Sequence, residues 1–228
     1  IYTNYMLPER GQAAVRALEA LGVEVVVPPM PGAGRAPLSQ GMIDTARAKA
    51  ERVAAELGPY VTDGYDIVVI EPSDLAMFRE DYARLLPDTQ FRTLANHSYE
   101  LLEYIYGLLA NEATVDPLQA GDGDRVVYHG HCQQRTMGLA EYSIAVLEMC
   151  DYEVRTTDVE CCGMAGSFGY KQQYYELSMD VGTALERQLR AEDDDHVVAS
   201  GTSCTDQIGD LLGTEPRHVV ELLAPEHQ

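Results

Sequence analysis

The residues of this chain that could do metal or redox chemistry are its five cysteines, all of which lie in the second half of the sequence. They are Cys132, Cys150, Cys161, Cys162 and Cys204. We find no secretory signal, so we interpret them as metal or redox ligands rather than as a disulfide framework. Four thiolates suit either a zinc ion or an iron–sulfur cluster. Cys150 is set apart, because it ends a predicted helix and is expected to pack as a small apolar side chain.

The other cysteines each follow a predicted strand. The strands are residues 125–128 before Cys132, residues 152–156 before Cys161 and Cys162, and residues 196–199 before Cys204. Ligand sites of open α/β sheets gather beyond the carboxyl ends of parallel strands, so we expect these thiols to meet there. Helices that begin after Cys132 and Cys204 would direct their amide dipoles toward an anionic centre and raise its reduction potential.

Cys161 and Cys162 are neighbours in the chain. Adjacent side chains diverge, which suits a polynuclear cluster better than a single tetrahedral zinc ion. Glycines that follow would let the backbone approach a bulky inorganic group; they are Gly163, Gly166 and Gly169. A zinc site remains the alternative, as does a thiol–disulfide protein in which Cys161 and Cys162 form a vicinal disulfide.

The elements that must position these residues follow from hydrophobic periodicity, which predicts alternating helices and short apolar strands. The predicted helices are residues 9–21, 43–57, 75–86, 97–110, 137–149, 174–189 and 205–212. The predicted strands are residues 23–27, 65–70, 125–128, 152–156 and 196–199. This order is typical of an α/β fold with parallel sheets.

The two halves of the chain align with each other. Residues 18–25 match residues 147–154, and residues 67–74 match residues 197–204. We therefore predict two pseudo-repeated parallel-sheet α/β units, residues 1–115 and 125–228, joined by a polar stretch. In this alignment Thr3, Gly32, Ala33 and Asp74 replace the four cysteines. The first unit is thus expected to lack ligands, and one metal centre is predicted.

The sequences around the cysteines resemble a known family. His129-Gly130-His131-Cys132, Cys161-Cys162-Gly163 and Gly201-Thr202-Ser203-Cys204 are similar to the cysteine-rich CCG domain of heterodisulfide reductases, glycolate oxidase iron–sulfur subunits and anaerobic glycerol-3-phosphate dehydrogenases. They look most like the C-terminal region of fused FAD-linked oxidases. In the first unit the resemblance extends to Tyr2-Thr3-Asn4-Tyr5, Gly34-Arg35 and Glu71-Pro72-Ser73.

The resemblance implies electron transfer from a flavin-dependent dehydrogenase of 2-hydroxy acids, such as lactate or glycolate, or of glycerol 3-phosphate. The ligands it implies are Cys132, Cys161, Cys162 and Cys204, holding one iron–sulfur cluster of the 4Fe-4S type. FAD is expected on a partner domain or subunit, and a ferredoxin-type domain is a further expected partner. The family's fullest motif has a cysteine where Gly201 stands, which argues against a five-cysteine cluster. The chain alone is not expected to be catalytic.

Some polar residues admit two interpretations. His129 and His131 alternate along a strand end, so one could face the cluster as a donor or ligand, although a structural role is favoured. Glu71 and Asp74 beside Arg35 could handle protons, although salt-bridged, solvated carboxylates are favoured. The run 192–195 is interpreted as a solvated acidic loop.

Charge excludes several classes of partner. The chain has 16 basic and 37 acidic residues, a net charge of −21. Nucleic acids and anionic lipids both demand a basic surface, so neither is expected as a partner. Only Lys49 and Lys171 among the basic residues are lysines, and this skew suggests a salt-adapted, halophilic surface. We predict no transmembrane segment and a cytoplasmic location, with any attachment to the inner membrane face made through partners.

Overall fold

The structure, a computed structural model, describes residues 5–111, 113–191 and 193–226. Its helices are α1 (Pro8–Ala20), α2 (Arg35–Ser39), α3 (Ile43–Thr62), α4 (Pro72–Arg79), α5 (Asp88–Asn96), α6 (Leu101–Asn111), α7 (Cys132–Thr136), α8 (Ala140–Met149), α9 (Tyr175–Leu189), α10 (Thr202–Leu212) and α11 (Val219–Leu223). Its strands are β1 (Ile67–Val69), β2 (Ser98–Glu100), β3 (Arg125–His129), β4 (Glu153–Thr156) and β5 (His196–Ala199). Single 3₁₀ turns cover Asp81–Arg84 and Gln172–Tyr174.

The strands form two small parallel sheets. β1 pairs with β2 in the first half of the chain, with Ile67 opposite Ser98. In the second half β3 lies between β4 and β5, so Val126 lies opposite both Val154 and His196. The predicted α/β class is confirmed. The predicted division into pseudo-repeated units at residues 1–115 and 125–228 stays a prediction.

Most helices and strands lie where hydrophobic periodicity places them, but the first predicted strand is wrong. Residues 23–27 form no strand, although Val23 and Val25 pack against a core. Val26 and Val27 are 43% and 63% exposed, so this valine run is buried only in part and on one side. Among the described residues no strand pairs with it. The predicted helix 97–110 also differs, since its first residues form β2 and pair with β1.

The described residues form three apolar cores. One contains side chains from both halves, including Ala17, Leu101 and Ile105 with Val126 and Leu147. A second lies within the first half, around α3 and α4. The third lies between β3, β5, α9 and α10 and includes Cys162 and Cys204. The cysteines are therefore built into a packed region rather than carried on a free loop.

Some sequence-based expectations concern residues that the structure does not describe. Thr3, the motif Tyr2-Thr3-Asn4 and Glu192 of the acidic run lie outside the described residues. Within the described ranges, every helix is too short or too polar to cross a membrane.

Glu100, at the end of β2, is a fully buried carboxyl group. One oxygen, Oε2, accepts hydrogen bonds from the backbone amides of Leu102 (2.7 Å) and Glu103 (3.1 Å), which starts α6. Oε1 has no hydrogen-bond partner among the described residues. Burial raises the pKa of Glu100 to about 8, with Glu103 adding to the rise while the amides and Arg79 oppose it.

This carboxyl group predicts a pH dependence of stability. Between the ordinary pKa of 4.5 and about 8, the folded chain keeps the proton that the unfolded chain has lost. Glu100 therefore lowers the free energy of unfolding as pH rises through that window, by at most about 1.4 kcal/mol per pH unit. The Glu100→Gln side chain does not titrate, so the variant should not lose stability in this way. In urea unfolding, its free energy of unfolding minus that of the wild type should therefore increase between pH 5 and pH 8. Glu51→Gln, at an exposed position of α3, is the matched control and should show no such trend.

Candidate metal centre

The second sheet brings the predicted ligands together at one edge. Cys132 is the first residue of α7, directly after β3, and Cys204 lies in the first turn of α10, after β5. Cys161 and Cys162 lie in the loop between β4 and α9. All of these segments follow the carboxyl ends of parallel strands, as the sequence predicts. Cys150 ends α8 instead and lies in the core shared by both halves.

The tightest group at this edge consists of two thiols and an imidazole. A ring nitrogen of His129 and the Sγ atoms of Cys162 and Cys204 all lie within 4.8 Å of one another. All three side chains are buried. Nδ1 of His129 is 2.7 Å from the hydroxyl of Thr157, which follows β4. Burial is the main cause that lowers the pKa of His129, to about 4, so the imidazole is neutral at physiological pH.

Cys161 and Cys132 lie outside this tight group. Cys132 is exposed and Cys161 is half-buried. Burial raises the pKa of the Cys132 thiol, and Cys161 adds to this rise, so the two side chains influence each other. The Cys161 thiol lowers the pKa of Cys162, but Cys204 and burial raise it more, to about 12. Neighbouring thiols thus shift each other's pKa, and Cys132 is the exposed one among them.

The backbone around the thiols is closely fitted. The amide of Gly163 lies 3.4 Å from Sγ of Cys161. Gly163 has φ +105°, and a Cβ there would lie 2.2 Å from the carbonyl oxygen of Ser178 in α9. A Cβ on Gly201 would meet the ring of His131 at 2.3 Å. Sulfur and imidazole donors in a compact, partly buried group fit a metal or an iron–sulfur cluster.

The N-termini of the two cysteine-bearing helices are capped by side chains. Nδ1 of His131 accepts a hydrogen bond from the amide of Gln133 at 3.1 Å and so caps α7. Oε2 of Glu71, from the first half of the chain, accepts one from the amide of Thr202 at 2.9 Å and so caps α10. These amides are already satisfied. The helix dipoles of α7 and α10 therefore act on His131 and Glu71 as well as on the thiols.

Glu71 has a role that the sequence interpretation missed. The sequence favours a solvated, salt-bridged carboxylate near Arg35, but among the described residues Arg35 pairs with Asp81 at 2.6 Å. Oε1 of Glu71 accepts from the amide and hydroxyl of Ser73 and starts α4. Burial raises the pKa of Glu71, but His131 and the amide of Thr202 lower it further, to below its ordinary value. Asp74 is different, since burial and Glu71 raise its pKa to about 6.

A single carboxylate that caps two helices in different halves of the chain should matter for stability. The Glu71→Ala variant is expected to lower the free energy of unfolding by about 2 kcal/mol, because each lost cap costs about 1 kcal/mol. Urea unfolding of the metal-free chain measures this. Asp88→Ala is the control, since Asp88 is an exposed acid in the first turn of α5. Its loss should cost less than about 1 kcal/mol. Equal losses in both variants would contradict the bridging role of Glu71.

The part of the chain that contains the predicted cysteine ligands is similar to a known family. Residues 126–209 match the family model of the cysteine-rich domain, CCG. The chain is 26% identical over 231 residues to one subunit of the anaerobic glycerol-3-phosphate dehydrogenase of Escherichia coli. It is 25% identical over 231 residues to D-2-hydroxyglutarate dehydrogenase of the same organism. It is also 27% identical over 236 residues to lactate utilization protein A of Bacillus pumilus.

These relatives differ in how much of their length the chain covers. The alignments include 98%, 97% and 96% of this chain. The chain spans about half of the glycerol-3-phosphate dehydrogenase subunit (56%), a fifth of the D-2-hydroxyglutarate dehydrogenase (21%) and 93% of the lactate utilization protein. The resemblance to the CCG family is confirmed for residues 126–209, and this segment contains the four predicted cysteine ligands.

Proposed function

We propose that this chain is an electron-transfer domain of a flavin-dependent 2-hydroxy-acid dehydrogenase. Cys132, Cys161, Cys162 and Cys204 hold one iron–sulfur cluster of the 4Fe-4S type, and FAD is bound by a partner domain or subunit. When bound, the cluster accepts and releases single electrons. The observation that carries the proposal is the convergence of these four cysteines at one edge of the second sheet.

The protein's own residues serve this role by setting the environment of the thiols. Cys162 and Cys204 lie in an apolar core that excludes water, whereas Cys132 is exposed. A centre with one accessible side suits electron exchange with a partner surface. The names of the relatives support a dehydrogenase of hydroxy acids, with glycerol 3-phosphate as the alternative upstream substrate. A cytoplasmic location, a ferredoxin-type partner and a salt-adapted surface belong to the same proposal.

One observation favours a second candidate, a structural zinc domain that docks the dehydrogenase to its partners. His129, Cys162 and Cys204 lie close enough together to bind a single ion. Two sulfur ligands and one nitrogen ligand are common at zinc. In that case the domain would stabilise an assembly without changing its redox state.

The deciding experiment measures iron, acid-labile sulfide and zinc in protein purified and reconstituted without oxygen at high salt. About four irons and four sulfides per chain, with broad visible absorption, are expected for the electron-transfer domain. Stoichiometric zinc that iron and sulfide do not displace would overturn this proposal in favour of the structural domain. Reconstitution at low salt tests the salt-adapted surface, because carboxylate repulsion is less screened there.

A further inference from the structure

His129 occupies a place in the metal centre that the four-cysteine assignment leaves unexplained. It is the last residue of β3 and is 1% exposed. One of its ring nitrogens lies within 4.8 Å of the thiols of Cys162 and Cys204. These three residues come from β3, from the loop after β4 and from α10, so three separate elements bring them together.

The ring of His129 is held in a defined orientation. Nδ1 is 2.7 Å from Oγ1 of Thr157. Thr157 is itself fixed, because its amide donates to the carbonyl of Tyr128 at 3.1 Å. Metal-bound histidines almost always use one ring nitrogen for the metal and the other for such a hydrogen bond, which sets the tautomer. With Nδ1 engaged by Thr157, Nε2 is the nitrogen left for a metal.

The spacing also fits coordination. With metal–sulfur bonds of about 2.3 Å and metal–nitrogen bonds of about 2.0–2.1 Å, ligand atoms around one tetrahedral ion lie about 3.6–3.8 Å apart. Atoms already within 4.8 Å of one another need to move inward only slightly to reach that spacing.

We propose that His129 is a metal ligand of this centre and bonds through Nε2 to metal held at Cys162 and Cys204: to a single ion that both thiols bind or, in an iron–sulfur cluster, to an iron beside them as a further ligand to the four thiolates. The inference deepens the proposed function and rests on it only in requiring that the thiols hold a metal. Imidazole is a neutral ligand, whereas a thiolate is anionic. A histidine ligand therefore raises the reduction potential of an iron–sulfur centre relative to an all-cysteine one.

The neighbouring histidine gives a matched control. Nδ1 of His131 caps α7, and its Nε2 lies 3.4 Å from the hydroxyl of Ser203. Both ring nitrogens of His131 thus have protein partners, and neither needs a metal. Because asparagine also caps helices well, His131→Asn should preserve this function.

The test uses Co²⁺ as the probe, added without oxygen to the metal-free chain. The wild type should show thiolate-to-cobalt charge transfer and the intense visible bands of a tetrahedral S/N site. Thr157→Val should weaken Co²⁺ binding about 10–100-fold, because it removes the partner that orients the ring. His129→Ala should weaken it more. His129→Cys should keep the binding and add thiolate charge transfer, while His131→Asn should match the wild type.

Several results would overturn the assignment. These are absence of Co²⁺ binding by the wild type, wild-type affinity and spectrum in His129→Ala, and no added thiolate absorption in His129→Cys. Circular dichroism and urea unfolding of each metal-free variant check that the fold is kept, and His129→Cys separates loss of a ligand from loss of packing.

The proposed function fails in a distinguishable way. If the wild type binds Co²⁺ through His129 but takes up no iron and sulfide, the electron-transfer role is wrong and His129 remains a ligand. A second outcome is a cluster that forms with the same reduction potential in the wild type and in His129→Cys, while replacing His129 leaves Co²⁺ binding unchanged. In that case only the ligand assignment is wrong. A cluster whose potential falls in His129→Cys supports both.

Discussion

Replacing Cys161 with serine is expected to leave the chain without its metal centre. Cys161 is half-buried beside Cys162, and the amide of Gly163 points to its sulfur. Serine keeps the size of the side chain but is a much poorer ligand for iron. Even changes beyond the ligands cost 10–100-fold in metal affinity, so iron content after reconstitution should fall by at least about tenfold. Iron and sulfide analysis with the visible spectrum measures this.

Cys150→Ser is the matched control, because it makes the same chemical change at a cysteine outside the centre. Cys150 is 3% exposed and lies in the core shared by both halves. Its replacement should leave iron content unchanged but lower the free energy of unfolding by about 1–3 kcal/mol, since a hydroxyl is buried there. Cys161→Ser should show the reverse pattern, with little change in the metal-free chain. The same iron content in both variants would refute the ligand assignment.

The second half of the chain could be predicted well from sequence because its strands are short, two of them contain valine pairs, and helices separate them. β3 and β5 lie where the valine pairs at 126–127 and 197–198 place them. The placement of Cys132, Cys161 and Cys204 beyond the carboxyl ends of the strands follows directly from strand direction. Local patterning therefore gives both the elements and the edge of the sheet where the thiols meet.

The first half shows where local patterning stops being sufficient. Residues 23–27 have strand-like composition but pair with no strand in the part of the chain that the structure describes. Strand formation depends on a neighbour that composition does not reveal. Residues 98–100 continue directly into an apolar helix, so the short strand is hidden in a helical pattern. Predicting either feature requires knowledge of which segments come together in space.

The same limit applies to the metal centre. The roles of Glu71 and Thr157 depend on hydrogen bonds to Thr202 and His129, which lie far from them in sequence. No spacing rule connects such residues. The cysteine motif predicts the donor atoms, whereas the residues that orient the side chains and cap the helices around them become visible only in the folded chain.

Gly163→Ala is expected to be among the most damaging single substitutions in this chain. Gly163 has φ +105°, where side chains are strained, and a new Cβ would lie 2.2 Å from the carbonyl oxygen of Ser178. That oxygen cannot easily move away, because it accepts a hydrogen bond from Nε2 of Gln207 at 3.1 Å. The hydroxyl of Ser178 also donates to the carbonyl of Gly163 at 2.9 Å. Ser178 therefore links the loop that contains Gly163 to α9 and α10 through hydrogen bonds.

Strain and clash together should lower the free energy of unfolding by on the order of 3 kcal/mol. They should also displace Cys162 and so reduce metal uptake. Urea unfolding of the metal-free chain and iron analysis after reconstitution measure the two effects separately.

Gly166→Ala isolates the contribution of the close contact, because it lies in the same loop. Gly166 also has a positive φ, +68°, but a Cβ there would meet nothing within 4 Å. Its replacement carries only the backbone cost of about 1–2 kcal/mol and should leave metal uptake intact. If both variants lose the same stability and bind the same iron, then the contact between Gly163 and Ser178 does not hold Cys162 in place. A larger loss of stability and of iron in Gly163→Ala means that the close contact between this loop and α9 holds the thiols in position.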